Sequence, residues 1–280
     1  MEKPTHWLSL WRDVIEAHEN GRLAPDDLEQ SPDRWKERAR DFAERARQRW
    51  SRPDTSRDFI CAQLDPHATV LDIGAGTGVW TMMLAPQVAH VTAIDPSPSM
   101  LAILHEEVSQ ANLANVRVVD GAWPDVAVEP HDYALCSHAM YGAADFAGFI
   151  RQMVASTRKM CFLIMRVPNL DGPMAEAART IWGQPFDRPN AMIAYNILLE
   201  MGIYPNVLME IERPWTPRAT PDLEFVLREV KRRFGLSASS AHDDYLRDLL
   251  RRRLQSQDGQ YLWPEETRSA LISWRVDGHD

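Results

Sequence analysis

The stretch Val70-Leu71-Asp72-Ile73-Gly74-Ala75-Gly76-Thr77-Gly78 decides the fold of this chain. An apolar, β-branched run ends in an acid and then in three glycines at alternate positions, a pattern typical of a buried strand that breaks into a tight turn before a helix. Without a Cβ, glycine can take positive φ angles and let the backbone approach a ligand, while the amides of the next helix face that ligand. Such turns also occur as ordinary connections, so the neighbouring segments decide its meaning.

Apolar runs alternate with helix-like segments around this turn. Strands are predicted at 69–73, 90–94, 116–119, 133–136 and 160–167, with helices at about 78–86, 96–108 and 145–157. This alternation predicts right-handed crossovers and a parallel sheet covered by helices on both faces. Sheets of this kind bind ligands outside the carboxyl ends of their strands, which is where the polar residues that follow these strands fall.

The two ends of the chain have a more helical character. Before the first strand, Trp35, Ala39, Phe42, Ala46 and Trp50 recur at helical spacing, which predicts a helix lying on a core; alternatively, one of the aromatic residues closes over a ligand. After Pro168 the pattern predicts helices at 174–182, 190–201, 221–234 and 240–254, and strands at 206–212 and 270–276.

Composition limits the class of protein. The chain has 280 residues, of which 45% are hydrophobic and 25% charged, as in ordinary globular proteins. Its net charge of −9 disfavours a nucleic-acid binder that neutralises phosphates over its whole surface. Cys61, Cys136 and Cys161 form no C-x-x-C pair and predict reduced thiols. With neither a signal peptide nor an apolar span long enough for a bilayer, the expected location is the cytoplasm.

Asp95 ends the second predicted strand, next to the glycine turn. An acid there can accept hydrogen bonds from both hydroxyls of a ribose, although it could also cap the helix that opens at Pro96. The glycine spacing is G-x-G-x-G, which differs from the G-x-G-x-x-G of dinucleotide folds, and no Gly-Lys-Ser or Gly-Lys-Thr is present. Asp72 beside the turn suits a ligand with a cationic amine better than one with phosphates.

These residues resemble the class I S-adenosylmethionine-dependent methyltransferases. Residues 70–78 resemble the first motif of the family, 91–100 its second segment, 118–123 the segment after its third strand, and 132–137 its fourth strand. The resemblance covers roughly residues 56–168. It implies an α/β fold: a doubly wound, mostly parallel seven-stranded sheet with an antiparallel last strand, formed by 270–276 beside 206–212.

The resemblance also implies S-adenosyl-L-methionine as cofactor and a role for each matching residue. At the glycine turn the backbone would run close to the methionine part of the cofactor, with Asp72 near its ammonium group. Asp95 would hold the ribose. The implied cofactor-binding residues are Asp72, Gly74, Ala75, Gly76, Gly78, Asp95, Pro96, Met100, Asp120, Gly121, Ala122, Trp123, Ser137 and His138. Pro96 and Met100 would pack near the adenine, residues 120–123 would contact its edge, and Ser137 with His138 would line the methyl end.

His138 and Tyr141 are the candidate catalytic residues, because they follow the fourth strand at its carboxyl end. A base is needed only if the acceptor must lose a proton, and a lone histidine in a loop is often structural. The chain lacks an Asn-Pro-Pro-Tyr signature and a Pro-Cys nucleophile, which disfavours amide, nucleobase-N and cytosine-C5 acceptors. No metal site is predicted.

The expected organisation is an N-terminal helical cap at 1–55, a Rossmann-like cofactor-binding core at 56–168, a helical lid at 169–205, and strands with inserted helices at 206–280 in the same domain as the core. The expected function is methyl transfer to a small molecule, without a membrane or nucleic-acid partner and with oligomer formation left open. Two alternatives are a non-catalytic binding or scaffold protein, and an RNA or protein methyltransferase with Arg251-Arg252-Arg253 on a docking face. Lys231-Arg232-Arg233 is a further candidate for a local basic face, although both tracts could also be solvated helix faces.

Overall fold

The structure is a computed structural model, which describes residues 6–22, 33, 35–51, 53–210, 219–220, 222–257, 260–264 and 268–276. The helices are α1 Trp7–Arg22, α2 Ala39–Trp50, α3 Thr55–Gln63, α4 Val79–Leu84, α5 Pro98–Gln110, α6 Phe146–Ala155, α7 Pro173–Ile181, α8 Ala191–Glu200, α9 Leu223–Phe234 and α10 Asp243–Arg253. The strands are β1 Thr69–Ile73, β2 His90–Asp95, β3 Val116–Asp120, β4 His131–Ser137, β5 Thr157–Arg166, β6 Asn206–Met209, β7 Ala219–Thr220, β8 Gln255–Gln257, β9 Gln260–Leu262 and β10 Ser269–Arg275.

Seven of these strands form one sheet in the order β3-β2-β1-β4-β5-β10-β6. The first five are joined by parallel pairings, and β10 runs antiparallel to β6. The predicted fold class, a doubly wound and mostly parallel sheet with an antiparallel last strand, is therefore confirmed. The order of the strands reverses at β1, which pairs with β2 on one side and β4 on the other. Open α/β sheets bind their ligands at such a reversal.

The chain divides into two compact units. The sheet unit comprises the described residues of 30–165, 197–212 and 269–280; the helical unit comprises those of 1–29, 166–196 and 213–268. In the sheet unit, the strands bury their apolar side chains beneath α3 and α4, and Trp50 of α2 meets Trp80 of α4 edge to face at 4.9 Å. The cap at 1–55 and the lid at 169–205 stay predictions, since both describe roles over a ligand.

The helical unit has a core of its own. One side of α9 packs against α7 and α10 through Leu223, Val226, Leu227, Val230 and Phe234. Beside this core lies a three-stranded sheet in the order β7-β9-β8, which the sequence analysis missed. No helix in the described part of the chain is long and apolar enough to cross a membrane.

The apolar stripe predicted on α2 is partly wrong. Ala39 and Ala43 are buried against Met100 and Ile103 of α5, whereas Phe42 remains 36% exposed. Phe42 instead contacts Trp35, which lies seven residues earlier and before the start of α2, with ring centroids 5.0 Å apart. The small alanines let α2 approach α5 closely, so the large aromatic residue lies to the side of the contact.

Candidate active site

The glycine turn joins β1 to α4 at the point where the sheet order reverses. Gly74, Gly76 and Gly78 all have positive φ angles, of 70°, 58° and 86°. A Cβ on Gly74 would lie 2.1 Å from the Cβ of Ala139, and one on Gly78 would lie 2.2 Å from Leu104 Cδ1. These two positions require glycine for packing within the protein.

Gly76 is different, because a Cβ built on it meets no described atom within 4 Å. Its positive φ of 58° still disfavours other residues, yet the space beside it is open. The amides of Gly74 and Ala75 donate to the Ile94 carbonyl at 2.8 and 2.9 Å, which ties the turn to β2. The turn is therefore anchored to β2 and offers bare backbone at Gly76, a cradle that fits a ligand lying against the backbone.

Asp95 stands next to this cradle at the end of β2. Its Oδ2 accepts from the Gly76 amide and its Oδ1 from the Ser97 amide, both at 2.9 Å. Burial raises the pKa of Asp95, although the two amides act against that rise, and the residue is 8% exposed. Asp95 therefore caps the loop before α5 and also holds the turn. Each carboxylate oxygen can accept a second hydrogen bond, so both remain able to bind ribose hydroxyls.

Asp72 is more deeply buried than its predicted contact with an ammonium group suggests. It is 1% exposed, and its Oδ2 accepts from Thr81 Oγ1 of α4 at 2.6 Å. This bond links β1 to the first turn of α4, on either side of the three glycines. Burial, and to a smaller extent the charge of Asp95, raises the pKa of Asp72 to about 6.

The stability of the protein should depend on pH through Asp72. Since its pKa is raised from 3.8 to about 6, the folded protein takes up this proton more readily than the unfolded chain. The ionised carboxylate therefore destabilises the fold at pH 7.5 by up to about 3 kcal/mol, and the penalty is relieved as the pH falls through 6 towards 4. Asp72→Asn should raise the free energy of unfolding by about 1 to 3 kcal/mol at pH 7.5 and by much less at pH 4.5, as measured by urea unfolding.

Asp132→Asn is the matched control. Burial raises the pKa of Asp132, but the Thr69 amide and the Lys159 charge outweigh it and the net pKa is lowered. Removing this carboxylate should therefore destabilise the protein at pH 7.5, and the loss should shrink at low pH. An equal effect of Asp72→Asn at both pH values would contradict the assignment.

The segment after β3 begins beside Asp95, and its tryptophan then turns towards α6. Asp120 pairs with Asp95 in register across β2 and β3, and the Gly121 amide donates to the Asp95 carbonyl at 3.2 Å. Ala122 is exposed. The ring of Trp123 instead donates to the Phe149 carbonyl at 3.3 Å and meets the Phe149 ring edge to face. The backbone and Asp120 are thus the parts of this segment next to Asp95, and the adenine contacts stay a prediction.

Pro96 and Met100 follow Asp95 into α5. Pro96 is exposed beside the turn, whereas Met100 is 2% exposed and packs on α2. That packing accounts for the burial of Met100 without a ligand. Asp33, which the sequence analysis did not assign to the site, accepts from Ser97 Oγ at 2.7 Å and from the Ser99 amide at 2.8 Å. Hydrogen bonds from Ser99 and Ser97 hold the pKa of Asp33 well below its usual range.

Ser137, His138 and Tyr141 lie at the carboxyl end of β4. His138 takes a left-handed backbone conformation, with a φ of 56°, and its amide donates to the Ile164 carbonyl. Its ring joins two hydroxyls: Nδ1 lies 2.8 Å from Tyr141 Oη and Nε2 lies 3.3 Å from Ser269 Oγ. A neutral imidazole can donate to one hydroxyl and accept from the other, so the three side chains can pass a proton along a chain.

Three members of this arrangement were not predicted from the sequence: Asp33, Thr81 and Ser269. Thr81 follows the glycine turn directly, and a hydroxyl in the first turn of the helix, facing a buried acid, was a signal that could have found it. Asp33 and Ser269 lie 64 and 131 residues from their partners. No local pattern connects residues at such separations.

Comparisons with known proteins agree with this geometry. Residues 70–159 match a family model described as a methyltransferase domain. The demethylmenaquinone methyltransferase of Listeria monocytogenes is 32% identical over 92 residues, which are 30% of this chain and 38% of that protein. The chain thus matches well under half the length of this curated relative.

Two solved structures share the fold. The YcgJ protein of Bacillus subtilis has 16% identity and a TM-score of 0.52, over 79% of this chain and 97% of that one. A candidate methyltransferase of Bacillus halodurans C-125 has 16% identity and a TM-score of 0.54, over 78% of this chain and 96% of that one. With the glycine turn, Asp95 and the strand order, these matches lead to one conclusion. Residues 70–159 form a methyltransferase domain of the kind that this family model describes.

Proposed function

We propose that this protein transfers a methyl group from S-adenosyl-L-methionine to a small-molecule acceptor. The observation that carries the proposal is the open space beside Gly76. The amide of this residue donates to Asp95 at the point where the order of the strands in the sheet reverses. The residues present fit the cofactor: a backbone cradle for the amino-acid part and a carboxylate with free lone pairs for the ribose. When bound, the cofactor supplies an activated methyl group on a sulfonium.

The chain itself would contribute position, water exclusion and, where needed, proton removal. Methyl transfer from an activated donor gains much of its acceleration from holding the reacting atoms in line. His138, linked to Tyr141 and Ser269, supports a role as a base or as the residue that orients Tyr141. The left-handed backbone of His138 costs about 1 to 2 kcal/mol. Strain of this size at the methyl end of the site is consistent with a functional constraint.

Tyr141→Phe tests this part of the proposal. If proton removal is needed, the turnover of methyl transfer should fall by about 100-fold, while the affinity for the cofactor stays unchanged. The measurement is the transfer of a radiolabelled methyl group to compounds of a metabolite extract, followed by chromatography. Ser269→Ala, which removes only the Nε2 partner, should produce a smaller loss. Full activity in both variants would show that the three side chains are structural.

The ion pairs of the basic tracts weigh against an RNA docking surface. Lys231 and Arg233 are paired with Asp243 and Asp187. Arg253 is paired with Asp171 at 2.9 Å and with Glu176 at 2.8 Å. These cations stabilise the helical unit, and pairing reduces the charge they could offer to phosphates. A relative described as a ribosomal RNA methyltransferase matches over only 23% of this chain, so an RNA acceptor stays the weaker candidate.

The labelled-transfer assay also separates an enzyme from a scaffold protein. The proposal predicts at least one labelled product that requires the intact protein and disappears with Asp95→Ala. Cofactor binding without any labelled product, across small-molecule, RNA and protein fractions, would favour a non-catalytic role. Label found only in the RNA or protein fraction would move the acceptor to that class. We also propose a cytoplasmic location.

A further inference from the structure

A second cavity lies at the opposite end of the sheet from the glycine turn. It has a volume of about 230 Å³ and is lined by residues at the starts of the strands, among them His90 of β2, His131 of β4 and Arg158 of β5. The length of β1 separates it from the turn by about 13 Å. Ligand sites of drug size occupy about 300 to 1,000 Å³, so this cavity suits a smaller molecule.

Two arginines contribute to a lining that is otherwise largely apolar. Arg117 of β3 and Arg158 of β5 are exposed, and neither forms an ion pair within the part of the chain that the structure describes. Glu129 is the acid that shares the cavity lining. Asp132 lies nearby, but it is held by the Thr69 amide at 2.9 Å and by Lys159 at 3.5 Å. The charged side chains of the lining are therefore two arginines and one carboxylate, which leaves an excess of positive charge even when both histidines are neutral.

Two histidines share one hydroxyl at this site. The rings of His90 and His131 stack with centroids 6.4 Å apart. Thr92 Oγ1 lies 2.8 Å from His131 Nε2 and 3.3 Å from His90 Nε2. The ring of His131 is buried, 6% exposed, and although the backbone of Glu129 is near, Nδ1 has no hydrogen-bond partner among the described residues. A buried imidazole therefore lies next to two guanidinium groups that form no ion pair among the described residues, and it adds a hydrogen-bonding group close to the place where an anion would bind.

The topology favours a tetrahedral anion over a planar one. Arg117 and Arg158 come from strands that lie on opposite sides of β2, β1 and β4, so their guanidinium groups reach the cavity from opposite directions. A carboxylate presents both oxygens on one side, whereas a phosphate presents oxygens to both. We propose that this cavity binds a phosphate-type oxyanion, with Arg117, Arg158 and His131 as its ligands.

The source of the phosphate is either the free ion or the end of a small phosphomonoester. Burial is the largest influence on His131 and, with the charges of His90 and Arg158, it lowers the pKa of that ring despite the opposing Glu129 backbone. A bound dianion would raise the pKa of the His131 ring, so binding should be accompanied by proton uptake at that ring. Of the other groups around the ring, His90 and the two arginines favour the anion. Glu129 opposes it, and Asp132 is offset by Lys159.

The test is a phosphate titration of the full-length protein with histidine rings labelled with ¹⁵N. Inorganic phosphate at pH 6.5 should shift the His131 ring signals with saturation and raise its pKa by about one unit. Arg158→Gln and Arg117→Gln should each weaken binding about tenfold. Both side chains are exposed, so the variants should fold. Arg151→Gln, an exposed arginine of α6 that pairs with Asp145, is the matched control and should change nothing.

The remaining arms distinguish the sources of phosphate. Tighter binding of glycerol phosphate than of inorganic phosphate would identify a phosphomonoester site, and equal binding would identify a site for the free ion. Unsaturable shifts, or binding unchanged in both arginine variants, would overturn the proposal. Cofactor affinity should be the same in all three variants, so this test and that of the methyltransferase activity can fail separately.

Discussion

Gly76→Ala should weaken the binding of S-adenosyl-L-methionine by about 30-fold, or about 2 kcal/mol. The added methyl group would occupy the open space at the turn, where a Cβ meets no described atom within 4 Å. Because no protein atom must move, the cost of the methyl in the fold is the left-handed backbone alone, about 1 to 2 kcal/mol. The loss of affinity would come from the overlap with the ligand. Isothermal titration calorimetry measures it.

Gly202→Ala separates backbone strain from the loss of the ligand site. Gly202 follows α8, has a φ of 78°, and likewise has no described atom within 4 Å of an added Cβ. The two variants should lose similar amounts of stability in urea unfolding, but only Gly76→Ala should lose affinity. Equal affinities in the two variants would mean that the cofactor does not lie against the turn.

Asp95→Ala should weaken cofactor binding by about 1 to 3 kcal/mol, a factor of about 5 to 150, as measured by calorimetry. The carboxylate would lose its bonds to the ribose hydroxyls. Its removal also leaves the amides of Gly76 and Ser97 without the carboxylate that accepts from both at 2.9 Å, so the turn loses one of its links to β2 and keeps the bonds of Gly74 and Ala75 to Ile94.

Asp95→Asn is the informative comparison, because its single carbonyl oxygen can replace only one of the two acceptors. It should bind the cofactor with an intermediate affinity. Asp33→Ala removes the carboxylate that accepts from Ser97 and Ser99, and it should change stability more than affinity. Unchanged cofactor affinity in Asp95→Ala would mean that Asp95 is only a helix cap.

The centre of the sheet was predictable from the sequence because β1, β2, β4 and β5 are buried along most of their length and therefore appear as short apolar runs between polar residues. The structure extends the fourth predicted strand from 133 back to His131 and begins the fifth at Thr157. Both additions are polar residues at strand starts, where periodicity carries no signal. The small sheet was missed for the same reason: β8 is Gln255-Ser256-Gln257, which has no apolar residue.

The candidate site was predictable where function depends on the backbone and not where it depends on distant side chains. The glycines and Asp95 lie within one strand-turn-helix-strand unit, so their spacing predicted their proximity. Trp123 and Met100 were assigned to the adenine, but their burial is explained by Phe149 and α2. The partners of His138 and of the Ser97 loop come from other parts of the chain, and only the folded structure joins them.

The central claim is that the turn at 74–78 and Asp95 form the site for an adenosyl cofactor. Calorimetric titration of the full-length protein with S-adenosylhomocysteine at pH 7.5 tests it most directly. We expect one site per chain with a micromolar dissociation constant; Gly76→Ala should weaken this binding and Gly202→Ala should leave it unchanged. The absence of binding at micromolar concentrations, or binding of equal affinity in both variants, would contradict it.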